Sequence, residues 1–234
     1  MVKLVPWPYH YAKRTRENQD MTARHIAAMC LGALAVMFTA TSALSQANVR
    51  SEVVRLDPPR PVATAERIEV IEFFYYGCPI CYELEPHMMR WLATQAPGYV
   101  ALRRIPALSS EGWETLAKLY FTLEAIGEVD RLHWPVYDNF HFDGKLLNEE
   151  KVMFEWVGHN GIDGKKFAEV YGSPEIQAKI AGAREMMKTY DVHGVPTIIV
   201  DGKYMTSARL ANGTRPLMQV VDELVRQAKS ERPK

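Results

Sequence analysis

An α/β fold interrupted by a block of helices is what this sequence predicts, and three observations carry the prediction. Ile71-Glu72-Phe73-Phe74-Tyr75-Tyr76 is an apolar, aromatic run of strand character that stops at Gly77. A Cys-x-x-Cys pair, Cys78 and Cys81, follows at the mouth of a helix. Strand character then lapses over roughly residues 108–175 and resumes at Val195 with a hairpin and a closing amphipathic helix.

In chain order, residues 1–47 read as an export signal, with Met21 expected as the true start. Arg24 and His25 precede the apolar run Ile26 to Phe38, and Ser45-x-Ala47 fits a small-x-small cleavage rule. The run is too short to span a bilayer comfortably, and Met29 before Cys30 argues against lipid attachment. The apolar run could instead be the first helix of a cytosolic protein, which the three-part pattern disfavours. Cleavage there leaves Cys78 and Cys81 as the mature cysteines, in an oxidising compartment, the periplasm. Asn48 to Ala65, with Pro58, Pro59 and Pro61, is an extended lead-in to a domain over residues 66–230.

Arg67 to Tyr76 is the first core strand, apolar on both faces as in a sheet covered on both sides. The helix after Cys78 runs to about Ala96, with Pro86 predicting a kink. Tyr99 to Ile105 is a second strand, in right-handed parallel connection with the first. Trp113, Leu116, Ala117, Tyr120, Leu123 and Ile126 recur at helical spacing. Helices follow over Val129 to His141, Asn148 to Gly161 with Asn148 as N-cap, and Asp163 to Tyr171. Ser173-Pro174-Glu175 opens another that runs to about Tyr190. Val195 to Val200 is a strand, Asp201-Gly202 a two-residue hairpin turn, Lys203 to Ser207 the return, and Arg215 to Ala228 the closing helix. This order is a thioredoxin-like fold with an inserted helical domain.

Composition narrows the function. The chain has 234 residues, 47% of them hydrophobic, enough for a proper core. Its formal charge is zero, but residues 1–47 hold five of the 28 Lys/Arg and two of the 28 Asp/Glu. The remainder, 23 basic against 26 acidic, has no basic footprint for nucleic acid.

The cysteine pair carries the chemistry. Three residues apart on a helix, the two side chains share a face and their sulfurs can bond. At the helix mouth Cys78 meets outward N–H groups, and Pro79, which has none, suits the first turn. The amides of Ile80 and Cys81 can then donate to a Cys78 thiolate, aided by the helix dipole, while Cys81, one turn in, keeps the higher pKa. A fall in the Cys78 pKa from about 8.5 to about 5 would stabilise the dithiol form at pH 7 by about 2.7 kcal/mol, or about 60 mV toward oxidant. A merely structural disulfide is the weaker reading, since so short a loop removes little chain entropy. No second Cys pair exists, and His87, His133, His141, His159 and His193 lack ligand spacing, so no metal is expected. Tyr82 after Cys81 excludes covalent haem, and no cofactor beyond the redox-active Cys78–Cys81 disulfide is expected.

Two further features converge on the pair. Val195-Pro196 starts a strand, and is either an ordinary trans proline, which base rates favour, or a cis-proline loop facing the cysteines. In the second case its free backbone groups can pair with an unfolded substrate strand. Glu72 is an acid in an apolar strand: buried, it would have a raised pKa and could relay the Cys81 proton; otherwise it reaches solvent at a sheet end.

Phe-Phe-Tyr-Tyr-Gly-Cys78-Pro79-Ile80-Cys81-Tyr82, with His193-Gly194-Val195-Pro196-Thr197 and Asp201-Gly202-Lys203-Tyr204 downstream, resembles the DsbA family of periplasmic thiol:disulfide oxidoreductases. The resemblance covers most of residues 66–230. It implies that Cys78 is the nucleophile, Cys81 its partner, Val195-Pro196 the cis-proline loop and Glu72 the buried acid beneath the disulfide. It also implies disulfide donation to unfolded or reduced exported proteins, and reoxidation by a DsbB-like, quinone-linked membrane oxidase. A monomer is expected. The family's usual Pro-His dipeptide is here Pro79-Ile80, and isoleucine can neither donate to a thiolate nor place charge near it. A less acidic Cys78 and a weaker oxidant than the family norm follow. Rival readings are a reductase or isomerase of the same fold, for which the mature chain has no room for a dimerisation domain, and a non-catalytic chaperone-like binding module, against which the intact cysteine pair speaks.

Overall fold

The computed structural model describes residues 52–64 and 66–232, so the expected signal segment, the start at Met21 and Cys30 lie outside the described residues. Five strands form one mixed sheet: β1 Val54–Arg55, β2 Ile68–Phe74, β3 Val100–Pro106, β4 Thr197–Val200 and β5 Tyr204–Ser207, in the order β1-β5-β4-β2-β3. β2 pairs β3 in parallel and β4 antiparallel, and β4-β5 is an antiparallel hairpin. The helices are α1 Pro79–Thr94, α2 Glu114–Ala125, α3 Val129–His141, α4 Glu150–His159, α5 Gly164–Tyr171, α6 Pro174–Thr189 and α7 Thr214–Glu231, with a 3-10 turn at Glu111–Trp113. No helix among the described residues is long and apolar enough to cross a membrane.

All seven residues of β2 are buried, which follows from cover on both faces of an inner strand. Ile68 and Val70 pack with Leu84, Met88 and Trp91 of α1 and with Leu217, Val221 and Leu224 of α7. Ile71 and Phe73 look the other way, into a core shared with the inserted helices and Tyr190. The period-two alternation of β2 therefore assigns Glu72 to the α1 face, beside Val70 rather than Ile71. That one geometric fact positions the site.

Local chemistry explains three helix starts. Cys78 caps α1 in extended conformation, with Pro79 in the first turn. Asp163 caps α5 and Ser173 caps α6, each accepting a backbone N–H three residues on. The fourth helix departs from expectation: its N-cap is Glu149, not Asn148, and it makes no side-chain cap bond. Its compensation is electrostatic, with Glu150 in the first turn. Pro86 is accommodated within the uninterrupted span of α1.

The hairpin also differs by one residue. Asp201 and Gly202 both have positive φ, and Lys203 N–H donates to Val200 at 3.0 Å, as a tight turn requires. Pairing resumes with Val200 opposite Tyr204, however, so Lys203 is left out of the ladder. The reason lies in the lead-in: Arg60 N–H donates to the Gly202 carbonyl and Leu56 N–H to that of Lys203, both at 2.8 Å. A Cβ at Gly202 would stand 2.2 Å from the Arg60 carbonyl oxygen, so the close approach needs glycine. The proline-rich segment contributes β1, an edge strand against β5.

Candidate active site

Cys78 and Cys81 are free thiols at the N-terminus of α1, Cys78 half-buried and Cys81 buried. The Cys81 amide donates to the Cys78 sulfur at 3.4 Å. Hydrogen bonding from the Cys81 thiol, outweighing burial, and donation from the Cys81 and Ile80 amides bring the Cys78 pKa down to about 6. Burial pushes the Cys81 thiol well above its ordinary value, and its bond to Cys78, the charge there and Glu72 add to the rise. Two sulfurs one helical turn apart thus differ sharply in acidity: the Cys81 thiol and the free helix amides stabilise an anion on Cys78, while burial and that neighbouring charge disfavour one on Cys81.

Val195 and Pro196, distant in sequence, come to the same place. The Val195–Pro196 peptide is cis, and the Cys78 thiol faces the Val195 carbonyl oxygen at 3.7 Å. Beside them opens a cavity of about 480 Å³ lined by Ile80, His193, Val195, Pro196, Met205 and Leu210, among others. Ile80 projects from the motif and is 44% exposed.

Glu72 is fully buried, so its carboxylate does not reach solvent at a sheet end. It belongs to a charged network that the sequence did not disclose. Strand register sets Arg104 of β3 next to Glu72, and both point to α1. The Arg104 guanidinium donates to Glu72 at 3.1 Å and to Glu85 of α1 at 2.8 Å. Glu85 lies 3.5 Å from His133 Nε2 on α3, and the Tyr76 hydroxyl contacts His133 Nδ1 at 2.8 Å. Burial raises the Glu72 pKa to about 7, with Arg104 opposing and the Glu85 charge assisting. Glu85 moves the other way: burial acts against it, but His133 and Arg104 together hold it below the usual carboxylate value. A usable signal existed for two of the residues missed. Glu85 stands four positions after Cys81 on one helix face, and Arg104 is an opposite charge in a neighbouring apolar strand.

Aromatic rings wall the site. Tyr75 stacks flat on Trp113 of the 3-10 turn, with centroids 3.9 Å apart, and lies over Gly77. Tyr82 stacks on Trp134 and on His141 of α3, and His141 Nε2 meets the Tyr76 carbonyl at 2.7 Å. No cluster of metal-ligating side chains occurs among the described residues.

Comparison with known proteins identifies the family. Residues 100–225 match the family model of the DSBA-like thioredoxin domain. The chain is 37% identical to the thiol:disulfide interchange protein DsbA of Azotobacter vinelandii over 194 residues, 82% of this chain and 90% of the relative. It is also 37% identical to that of Bordetella pertussis over 207 residues, 88% of this chain and 96% of the relative. Stretches of that share necessarily span Cys78 and Cys81. The crystal structure of Pseudomonas aeruginosa DsbA superposes with a TM-score of 0.71 at 34% identity, covering 77% of this chain and 93% of that one. Fold, site geometry and these relatives together make this chain a member of the DsbA family, with a thioredoxin-like fold and an inserted helical domain.

Proposed function

We propose that this protein is a periplasmic thiol:disulfide oxidoreductase that donates the Cys78–Cys81 disulfide to exported proteins. The observation that carries the reading is the asymmetry of the two sulfurs: Cys78, accessible and with its pKa at about 6, beside Cys81, buried with its pKa raised. A substrate thiolate attacks Cys78 Sγ, the Cys78–Cys81 bond breaks, and the electron pair goes to Cys81. Because Cys81 is a poor thiolate it needs a proton, and Glu72, with its pKa at about 7, is the buried acid able to supply one near neutrality. A second substrate thiolate then attacks the substrate sulfur of the mixed disulfide and Cys78 leaves, readily because its thiolate is stable. The substrate loses two electrons and the protein gains them.

Val195 supplies the backbone groups along which an extended substrate segment pairs, and the cavity beside Ile80 and Pro196 takes its apolar side chains. Reoxidation passes the two electrons on to a DsbB-like, quinone-linked membrane partner and restores the Cys78–Cys81 disulfide. Support for export comes from the signal pattern of residues 1–47 and from the family.

The test is disulfide transfer from the oxidised protein to a reduced, unfolded two-cysteine substrate. One disulfide per protein is expected and Cys78→Ser should be inactive, while Cys81→Ala, given the same substrate in its oxidised form, should accumulate a mixed disulfide on Cys78 as one substrate sulfur leaves as a thiol. Full transfer by Cys78→Ser would refute the reading.

A further inference from the structure

We propose that His133, contributed by the helical insertion, is a positioning residue that holds Glu85 as an anion and, through Arg104, governs how readily Glu72 exchanges a proton with Cys81. The inference rests on the role given to Glu72 above and extends the proton path into the inserted domain.

His133 is 5% exposed, with its ring packed edge-on against Phe74, Tyr120 and Tyr137 and tilted against Tyr76. A residue placed for packing alone has no use for two ring nitrogens in such surroundings, and burying them is costly unless each meets a partner. Nδ1 lies 2.8 Å from the Tyr76 hydroxyl, and beside a carboxylate the uncharged ring keeps its proton on Nε2, so the hydroxyl donates to Nδ1. Nε2 stands 3.5 Å from Glu85 Oε2, within ion-pair distance, and neither atom has a hydrogen-bond partner among the described residues. The contact is long enough to tighten when charge on Glu85 grows.

Arg104 is shared. Its guanidinium reaches Glu72 Oε2 and Glu85 Oε1 together, so the two carboxylates compete for one cation and repel each other across it. A donor on the far side of Glu85 favours the Glu85 anion and thereby disfavours a second negative charge on Glu72. Glu72 Oε1 has no hydrogen-bond partner and lies in the network that influences Cys81. His133 thus acts on Cys81 through three intervening side chains, one each from α1, β3 and β2. The charged and titratable groups facing it are Glu85, Arg104, Tyr76, Tyr120, Tyr137 and Asp130. Burial lowers its own pKa, so it serves at neutral pH as an uncharged donor.

Carbon-13 NMR titration of the glutamate carboxyls in the reduced full-length protein is the test. His133→Phe keeps the ring and removes the donor: the Glu72 midpoint should fall by about half a pH unit or more and that of Glu85 should rise. His133→Gln restores a donor at the Nε2 position and should return the Glu72 midpoint to within about 0.2 of the parent. Should His133→Phe fail to fold, Glu85→Gln must also lower the Glu72 midpoint. An unmoved or raised Glu72 midpoint in His133→Phe or Glu85→Gln, or a displacement in His133→Gln equal to that in His133→Phe, would overturn the proposal. The titration needs no turnover: a parent protein that transfers no disulfide refutes the donation reading, and the carboxyl midpoints still decide the place of His133.

Discussion

The sulfur of Cys78 stands 3.7 Å from the carbonyl oxygen of Val195, across 117 positions of chain. A thiol can donate to that carbonyl, but a thiolate only meets another acceptor there. The anion is held instead by the Cys81 thiol and the amides of Cys81 and Ile80, with a pKa of about 6. Alkylation of Cys78 by iodoacetamide in the reduced protein should therefore climb through pH 6 and be level by pH 8. At pH 5 it should be about tenfold slower than on the plateau. A rate still rising steeply above pH 8 would mean that the helix end does not stabilise the thiolate.

Glu72 and Cys78 should tilt the stability of the reduced protein in opposite directions over pH windows that overlap between about 6 and 7. The folded pKa of Glu72 is about 7 against an ordinary 4.5, so the native state keeps a proton that the unfolded chain has released, and stability falls as pH rises between those values. Cys78 lies at about 6 against an ordinary 9, so its contribution grows as pH rises from about 6 and is complete above 9. Thermal melts against pH should show the alkaline rise disappear in Cys78→Ser and the acid-side decline flatten in Glu72→Gln.

We propose that Ile80 tunes the pair. A histidine there can donate to the thiolate or carry charge beside it, and the side chain at this position is 44% exposed, so the polar ring need not be buried. Ile80→His should lower the Cys78 pKa by about half to one pH unit. At pH 7 that shift makes the protein more oxidising by about 15–30 mV. Thiolate absorbance titration and equilibration with glutathione measure the two quantities; equal pKa values in parent and variant would refute the role given to Ile80.

Gly77 is fixed by a ring rather than by its own backbone. A Cβ there would lie 2.5 Å from the Tyr75 ring, which is stacked on Trp113 with centroids 3.9 Å apart. Gly77→Ala should cost about 1–3 kcal/mol in chemical denaturation. Adding Trp113→Ala, which frees Tyr75 to move, should make the second change less than additive.

How far the sequence reaches can be judged from particular residues. Hydrophobic period and capping chemistry gave away β2, α1 and Ser173, because those signals are local. Cys78 and Cys81 were legible for the same reason, their spacing and setting lying within one turn of helix. Arg104, Glu85 and His133 were not, because each meets the others only through strand register and the docking of α3 on α1. His133 looked like one of several scattered histidines; what distinguishes it is the buried carboxylate 3.5 Å away, a tertiary fact. The extra residue of the β4-β5 turn was hidden likewise, since the backbone that claims Gly202 and Lys203 comes from Leu56 and Arg60.

The redox state of Cys78 and Cys81 in living cells tests the central claim most directly. Cells are quenched in acid, and free thiols are tagged with an alkylating reagent that adds mass. A protein that donates disulfides and is reoxidised must be found mainly as the Cys78–Cys81 disulfide, with neither cysteine tagged. A population mainly in the doubly tagged dithiol form would contradict the account and assign the fold to reduction or isomerisation instead.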